Sequence, residues 1–195
     1  SNESAFKFAR YYWKRMGKPN KVKILSRRYG YHGVTFAAMS ATSLPGYQKM
    51  FGPTMPDFHQ VAPPYAYRWP GNGDAGIEAA DAVEESIQAL GADNVAAIIC
   101  EPVMGAGGVI VPPPTYFPRL RQICDKYDVL LIADEVATGF HRTGPLFACD
   151  AEGVVPDFLC LAKGLTAGYL PLAATLTTEI VHRAFRGRPE EGRGF

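Results

Sequence analysis

The chain has 195 residues, 47% of them hydrophobic and 20% charged, a composition that excludes a disordered or fibrous protein and allows one domain with a substantial core. With 20 basic and 19 acidic residues the net charge is +1, which argues against nucleic acid or an anionic membrane as a partner. No signal peptide is recognisable, and the apolar runs fall far short of the about 20 residues that a membrane span needs. The four cysteines form no CxxC pair, so free thiols in a cytosolic protein are predicted, without disulfides or a metal site.

The first 91 residues combine two helix patterns with one strand pattern. Apolar residues at three- and four-residue spacings predict an amphipathic helix over 3–16, and a short strand over 22–26 leads into the motif GYHG. Residues 43–76 are rich in proline, glycine and aromatic residues. This segment is too long for an ordinary loop, so it is predicted either to cover an active site or subunit interface or to form a surface excursion packed by its own rings. An acidic helix over 77–90 follows.

The rest of the chain alternates buried strand patterns with helices. A strand over 95–100 and a helix over 116–126 lead into the apolar run VLLIA, which ends in Asp134 and Glu135. A second apolar run over 157–162 is followed by Lys163, and a strand over 172–178 precedes the start of another helix. The alternation predicts an α/β fold of three layers with a mainly parallel sheet connected by helices.

Two strand ends deliver a carboxylate and an amine to one edge of the predicted sheet. The carboxyl ends of parallel strands form the ligand-binding edge, so Asp134 and Lys163 are expected to face one small molecule. A lysine in a dry pocket can form a Schiff base with the aldehyde of pyridoxal phosphate (PLP), and the cofactor's pyridine nitrogen needs a carboxylate partner. The pair therefore fits PLP chemistry, with Lys163 as the anchor and Asp134 as the partner of the ring nitrogen.

A second interpretation of the apolar strand is a P-loop ATPase. In those proteins an acidic strand end holds magnesium and a neighbouring acid activates water. That interpretation requires the motif GxxxxGK[ST], which this sequence lacks. The glycines in GAGG at residues 105–108 do not have the GxGxxG spacing of a phosphate-binding loop either, so they are weak evidence for a nucleotide site.

Four motifs together resemble one family. DEVATGFHRTG and PDFLCLAKGLTAGYLP, with GYHG and EPVMGAGG upstream in the same order, are similar to the class III PLP-dependent aminotransferases of fold type I. The resemblance implies that residues 1–195 are part of a large PLP-binding domain, without the N-terminal segment and the C-terminal small domain of a complete enzyme. It also implies a homodimer with a shared active site, in which residues outside this chain hold part of the cofactor's phosphate.

The resemblance implies a cofactor site of six side chains, namely Lys163, Asp134, Tyr31, His32, Val136 and Glu101. Lys163 would carry the Schiff base and move the proton between the substrate and the cofactor. Tyr31 would stack on one face of the ring, Val136 would pack against the opposite face, and His32 would lie nearby. Glu101 would support the hydrogen-bond network around the cofactor, and no metal is expected.

The resemblance further implies a transfer of an amino group from an amine or ω-amino acid to a keto acid such as pyruvate. GYHGVTFAAMSATSLPGY is similar to ω-amine:pyruvate transaminases, and the residue after its second glycine is Val34, where relatives often have a polar or acidic residue. FACD and the lysine motif are also similar to adenosylmethionine-8-amino-7-oxononanoate aminotransferase. A decarboxylase, an aminomutase and a structural fragment that does not bind PLP remain alternatives.

Two further departures from the family pattern affect the substrate side. Many relatives that handle glutamate or ω-amino acids have a second glutamate near Ala106, and its absence argues against a substrate switch built on that acid. The family usually has glycine where His141 stands, and this histidine is predicted to face solvent instead of entering the substrate channel.

Overall fold

A computed structural model describes residues 1–44 and 46–187 of the chain. Its helices and strands, in chain order, are α1 (Asn2–Arg15), β1 (Lys23–Arg27), α2 (Phe36–Ala41), α3 (Tyr47–Phe51), β2 (Phe58–Val61), α4 (Ala75–Leu90), β3 (Val95–Cys100), α5 (Tyr116–Lys126), β4 (Leu130–Asp134), α6 (Ala148–Ala151), β5 (Phe158–Leu161), β6 (Ala174–Thr177) and α7 (Glu179–Phe185). Short 3₁₀ turns occur at Ala66–Arg68, Ala92–Asn94 and Lys163–Leu165.

The strands form one six-stranded sheet in the order β2-β1-β3-β4-β5-β6. All neighbouring strands from β2 to β5 are parallel, whereas β6 pairs with β5 in the antiparallel direction. The mainly parallel sheet predicted from the sequence is therefore confirmed. Because β1 is flanked by β2 and β3, the strand order reverses at β1, and such a switch point opens a crevice at the carboxyl edge of the sheet.

Helices cover both faces of the sheet, which confirms the three layers. Successive side chains of a strand point to opposite faces, so Ile98 and Ile99 of β3 enter different clusters. Ile99 lies with Ala5 of α1 and Val181 of α7 on one face. Ile98 lies with the apolar stripes of α4 and α5 on the other face. The continuous burial of β3 and β4 explains their unbroken apolar runs.

Local signals fix the ends of the long helix α4. Asp74 is its N-cap, and its Oδ1 accepts hydrogen bonds from Gly76 N at 2.8 Å and Ile77 N at 3.0 Å. Gly91 follows the helix with φ +79°, a conformation that favours glycine. The helix predicted over 77–90 therefore exists and begins two residues earlier, at Ala75.

The segment 43–76 is more regular than the sequence indicated. It contains α3, and β2 adds a parallel edge strand to β1 with Ile24 paired to Phe58 and Arg27 paired to Val61. The sequence analysis did not predict these two elements, because a four-residue edge strand between proline-rich stretches has too few residues to show an alternating pattern. The short helix α2 was not predicted either.

Within residues 1–44 and 46–187, no helix is both long enough and apolar enough to cross a membrane.

The four cysteines are free and buried, as predicted. Burial raises the pKa of the Cys149 thiol to about 12, and it also raises the pKa of Cys100, Cys124 and Cys160. Only the thiolate reacts readily with alkylating agents, so these thiols are held in their unreactive form at neutral pH. We expect iodoacetamide to leave all four cysteine peptides unmodified in the native full-length protein and to label them after denaturation, as measured by mass spectrometry. Rapid labelling of the native protein at any of them would contradict this burial.

Candidate active site

The candidate site lies at the carboxyl edge of the sheet, where the residues that follow four neighbouring strands meet. A cavity of about 410 Å³ opens there. All six residues singled out in the sequence line it, namely Tyr31, His32, Glu101, Asp134, Val136 and Lys163. They come from segments up to 132 residues apart, and parallel pairing of β1, β3, β4 and β5 brings the ends of these strands to one edge.

Asp134, the last residue of β4, is 3% exposed and makes three hydrogen bonds. Its Oδ2 lies 2.8 Å from His32 Nδ1 and accepts a bond from Asn2 Nδ2 at 2.7 Å. Its Oδ1 accepts a bond from Val136 N at 3.1 Å. A carboxylate can accept about four hydrogen bonds, so Oδ1 retains capacity for one further donor. Burial of a carboxylate without a partner costs free energy, and a cationic hydrogen-bond donor in the cavity would supply a partner for Asp134.

Asn2 was not predicted as a site residue, although it holds the acid in place. Its Nδ2 donates both to Asp134 Oδ2 at 2.7 Å and to the carbonyl of His32 at 2.8 Å, so it joins α1 to the segments after β4 and β1. Asn2 is buried and lies three and four residues before Ala5 and Phe6, on the same face of α1. A polar residue on the apolar face of the helix was therefore the signal that the sequence offered.

His32 is buried at the end of the GYHG segment. Its backbone N donates to Thr42 Oγ1 at 2.8 Å, and its ring is oriented by the contact between Nδ1 and Asp134. The other ring nitrogen, Nε2, is buried and has no hydrogen-bond partner among the described residues. A side chain at Gly30 would lie 3.1 Å from this Nε2 and 2.9 Å from the carbonyl of Arg27, so the tight turn requires glycine there.

Glu101 joins two loops around the cavity. Its side chain is buried, Oε1 accepts a bond from Tyr31 N at 3.0 Å, and Oε2 accepts a bond from Gly105 N at 3.1 Å. The carboxylate thereby fixes the segment that carries Tyr31 relative to the glycine loop. The ring of Tyr31 is half-buried and meets Tyr47 edge-on, with ring centres 6.0 Å apart.

Lys163 lines the cavity immediately after β5, at the position that the sequence predicted for the amine. Its side chain is exposed in this chain, so the expectation of a lysine in a dry pocket was wrong for the residues described. The strand pattern determines where the backbone of Lys163 lies. The solvent exposure of its side chain depends instead on what covers this edge of the sheet.

Two neighbouring polar residues do not line the cavity. Glu135 is buried, and its carboxylate accepts bonds from Thr138 Oγ1 at 2.5 Å and from Cys149 N at 2.7 Å. It stabilises the turn after β4. His141 is exposed, as predicted, and its Nδ1 lies 3.0 Å from the carbonyl of Gly144.

The residues of the cavity fit PLP. Its volume of about 410 Å³ lies within the range of roughly 300–1,000 Å³ that small-molecule sites occupy. The spare acceptor of buried Asp134 suits a protonated pyridine nitrogen, and Lys163 supplies an amine at the same cavity. In the described part of the chain, no three acidic, histidine or cysteine residues are grouped so that they could hold a metal ion.

Residues 1–194 match the model of the family described as aminotransferase class III. An omega-amino acid–pyruvate aminotransferase of Pseudomonas putida is 38% identical over 190 residues, which cover 95% of this chain and 42% of that protein. An adenosylmethionine-8-amino-7-oxononanoate aminotransferase of Geobacter sulfurreducens is 42% identical over 198 residues, which cover 99% of this chain and 44% of that protein. The chain thus spans less than half the length of these relatives.

The fold also matches solved structures. An amine transaminase from an uncultivated Pseudomonas species, determined in its PLP-bound form, superposes with a TM-score of 0.91 and 45% sequence identity. The match covers 94% of this chain and 42% of that structure. Class III aminotransferases depend on PLP, and the chain has the sheet, the cavity and the acid and lysine that this cofactor requires. The chain belongs to the class III aminotransferases.

Proposed function

We propose that the complete protein is a PLP-dependent aminotransferase that moves an amino group from an amine or ω-amino acid to a keto acid such as pyruvate. The observation that carries the proposal is the convergence of Asp134 and Lys163 on one cavity. A buried acid with a spare acceptor and an amine at the next strand end are the two groups that PLP chemistry needs from the protein.

Each cavity residue has a distinct task in this proposal. Asp134, held by Asn2 and His32, would keep the ring nitrogen of PLP protonated. Tyr31 and Val136 line the same cavity and would contact the two faces of the ring. Glu101 keeps the Tyr31 segment in place through its bond to Tyr31 N.

Lys163 carries the proton transfer. When bound, PLP supplies an electron-accepting ring that stabilises negative charge on the substrate carbon next to the nitrogen. The Nζ of Lys163 would take the proton from that carbon and hold it for the return transfer, as a general base and then a general acid. Lys163 lines the cavity that an incoming substrate would enter.

A homodimer with a shared active site is part of the proposal. The loop after Lys163 exposes three large apolar side chains, with Tyr169 at 90%, Leu170 at 70% and Leu172 at 56% exposure. Contiguous exposed apolar groups are typical of interaction surfaces, and this loop lies beside the cavity. A partner subunit on this surface would cover Lys163, whose side chain is exposed among the described residues. A cytosolic location is proposed from the four free thiols.

The substrate proposal rests on similarity and has a defined competitor. Pyruvate is named in the Pseudomonas putida relative, whereas the Geobacter sulfurreducens relative is named for adenosylmethionine and 8-amino-7-oxononanoate. Val34 at the cavity is apolar and exposed. This favours an amine donor without a second positive charge over a donor whose positive charge needs an acid at that position. This is why we place the amine:pyruvate reaction first.

The test is an activity panel on the PLP-loaded full-length protein. Primary amines and ω-amino acids are offered with pyruvate, and alanine formation is measured. Adenosylmethionine is offered in parallel with 8-amino-7-oxononanoate. We expect alanine from at least one amine donor. Transfer only from adenosylmethionine would replace the first assignment by the second, and no transfer in any pairing would overturn the aminotransferase proposal.

Replacement of Asn2 by alanine tests whether its hydrogen bond holds Asp134 in place for PLP binding. The variant removes two donated hydrogen bonds, one of them to a buried carboxylate, and each bond to a charged group contributes about 1.5–3 kcal/mol. We therefore expect about a tenfold or greater loss of PLP affinity in the full-length protein, measured by equilibrium dialysis. The exposed Ser4 of the same helix provides the control, because Ser4→Ala should leave the affinity unchanged. Unaltered PLP affinity in Asn2→Ala would show that Asp134 does not depend on this support.

A further inference from the structure

A second cavity of about 550 Å³ lies beside the candidate active site and shares no lining residue with it. Its lining includes two arginines, three aromatic residues and a glycine, namely Arg28, Arg68, Tyr29, Tyr65, Trp69 and Gly107. No aspartate or glutamate lines it. The proposed aminotransferase reaction uses none of these residues, so the cavity needs a separate explanation.

The two arginines of this cavity carry charge that no acid among residues 1–44 and 46–187 neutralises. Neither Arg28 nor Arg68 forms a salt bridge with an acid among the described residues, and both are exposed. An adjoining cavity shares Arg28 and Tyr29, adds Lys49, and again has no acidic lining residue. In a chain with a net charge of only +1, this is a local concentration of positive charge. Guanidinium groups with free donors bind carboxylate and phosphate groups.

The aromatic walls are held in place before any ligand arrives. Trp69 Nε1 donates to Glu78 Oε2, an acid outside the cavity lining, which fixes the indole. Tyr29 is held with φ +67°, an uncommon conformation for a residue with a side chain, and its carbonyl would lie 2.5 Å from a side chain at Gly107. Glycine at position 107 therefore allows the loop to close against Tyr29. Preformed aromatic surfaces favour a flat ring, because little side-chain freedom is lost on binding.

We propose that this cavity is a binding site for a small molecule in which a flat ring carries a carboxylate or a phosphate. Arg28 and Arg68 would bind the anionic group, and Tyr29, Tyr65 and Trp69 would contact the ring. Tyr29 belongs to the same segment as Tyr31, which lines the active site. The site is thus a neighbour of the catalytic cavity with its own chemistry.

The binding test uses the full-length protein loaded with PLP and then freed of unbound PLP, so that the catalytic cavity is occupied and no free PLP competes for the second cavity. Phenyl phosphate and benzoate serve as probes for the two anionic groups, and inorganic phosphate and phenol serve as the anion without a ring and the ring without an anion. We expect calorimetry to show at least one probe binding tenfold or more tightly than both controls. Binding no tighter than the controls for both probes would overturn the proposal.

Single replacements locate the binding. Arg28→Gln and Arg68→Gln should each weaken binding of the tighter probe about tenfold, since each removes a charged hydrogen-bond donor. Lys7→Gln removes one positive charge from the exposed face of α1 and should leave binding unchanged. If neither arginine variant weakened binding, the probe would be bound elsewhere and the assignment would fail.

A chemical footprint on the unaltered protein removes any dependence on the folding of the variants. Phenylglyoxal modifies accessible arginines, and mass spectrometry gives the extent at each position. The tighter probe should reduce modification of Arg28 and Arg68 and leave the exposed Arg142 unchanged. Equal modification of Arg28 and Arg68 with and without the probe would contradict a site at this cavity.

Discussion

Replacing Asp134 by alanine is expected to lower both PLP affinity and turnover by about 10²- to 10³-fold in the full-length protein. The carboxylate is 3% exposed and is the one acid whose spare acceptor faces the ring nitrogen in our account. Removal of one partner of a buried charge pair costs about 3–5 kcal/mol, and the lower part of this range corresponds to the expected loss. Equilibrium dialysis gives the PLP affinity, and alanine formation gives the turnover.

The same substitution also removes the acceptor for Asn2 and His32, so its effect on folding needs a comparison. Asparagine has nearly the same shape as aspartate, so we expect the melting temperature of Asp134→Asn to be closer to that of the parent than the melting temperature of Asp134→Ala. We expect Asp134→Asn to lose most of the turnover that Asp134→Ala loses. Asp150→Asn changes an exposed carboxylate away from the cavity and should behave as the parent does. Full turnover in Asp134→Asn would show that a charged partner for the ring is not required.

Replacing Lys163 by alanine is expected to have the larger effect on turnover. A positioned general acid or base contributes about 10²- to 10⁴-fold, and Lys163 also anchors the cofactor in our account, so we expect at least a 10³-fold loss of amino transfer. The lysine is exposed in the chain and belongs to a short turn, so its removal should leave the melting temperature of the cofactor-free protein unchanged. Single-turnover measurements with an amine donor separate this effect from slow product release.

Two controls make the Lys163 result specific. Lys7→Ala removes an exposed lysine of α1 and should retain full turnover. A small primary amine added to Lys163→Ala should restore part of the activity, because it can carry the missing proton. Turnover in Lys163→Ala within tenfold of the parent would mean that another group moves the proton.

The sequence was sufficient for the elements whose pattern is strong and local. The strand Val95–Cys100 and the helix Tyr116–Lys126 have the bounds that were predicted, because an unbroken apolar run and a clear helical stripe mark them. The strand Phe58–Val61 was missed, since a short edge strand needs few apolar residues. The antiparallel direction of β6 was not predicted either, because strand direction is set by pairing and not by the strand's own residues.

In the candidate site too, residues marked by a local sequence pattern were predicted, whereas contacts between residues distant in the sequence were not. Asp134 and Lys163 were found because each ends an apolar run, and the cavity contains both. Asn2 was missed because its partner Asp134 lies 132 residues away, and the helical pattern directs attention to apolar positions. The burial of Lys163 was predicted wrongly because burial at a sheet edge depends on the surfaces that cover it, which a strand pattern does not encode.

The most direct test of the central claim is the position of the cofactor's anchor. The full-length protein is loaded with PLP and reduced with borohydride, and the pyridoxyl label is then located by peptide mapping. We expect the label on Lys163, and no label in Lys163→Ala treated in the same way. A folded, PLP-binding protein labelled at another lysine, or not labelled at all, would contradict the assignment of Asp134 and Lys163 to one PLP site.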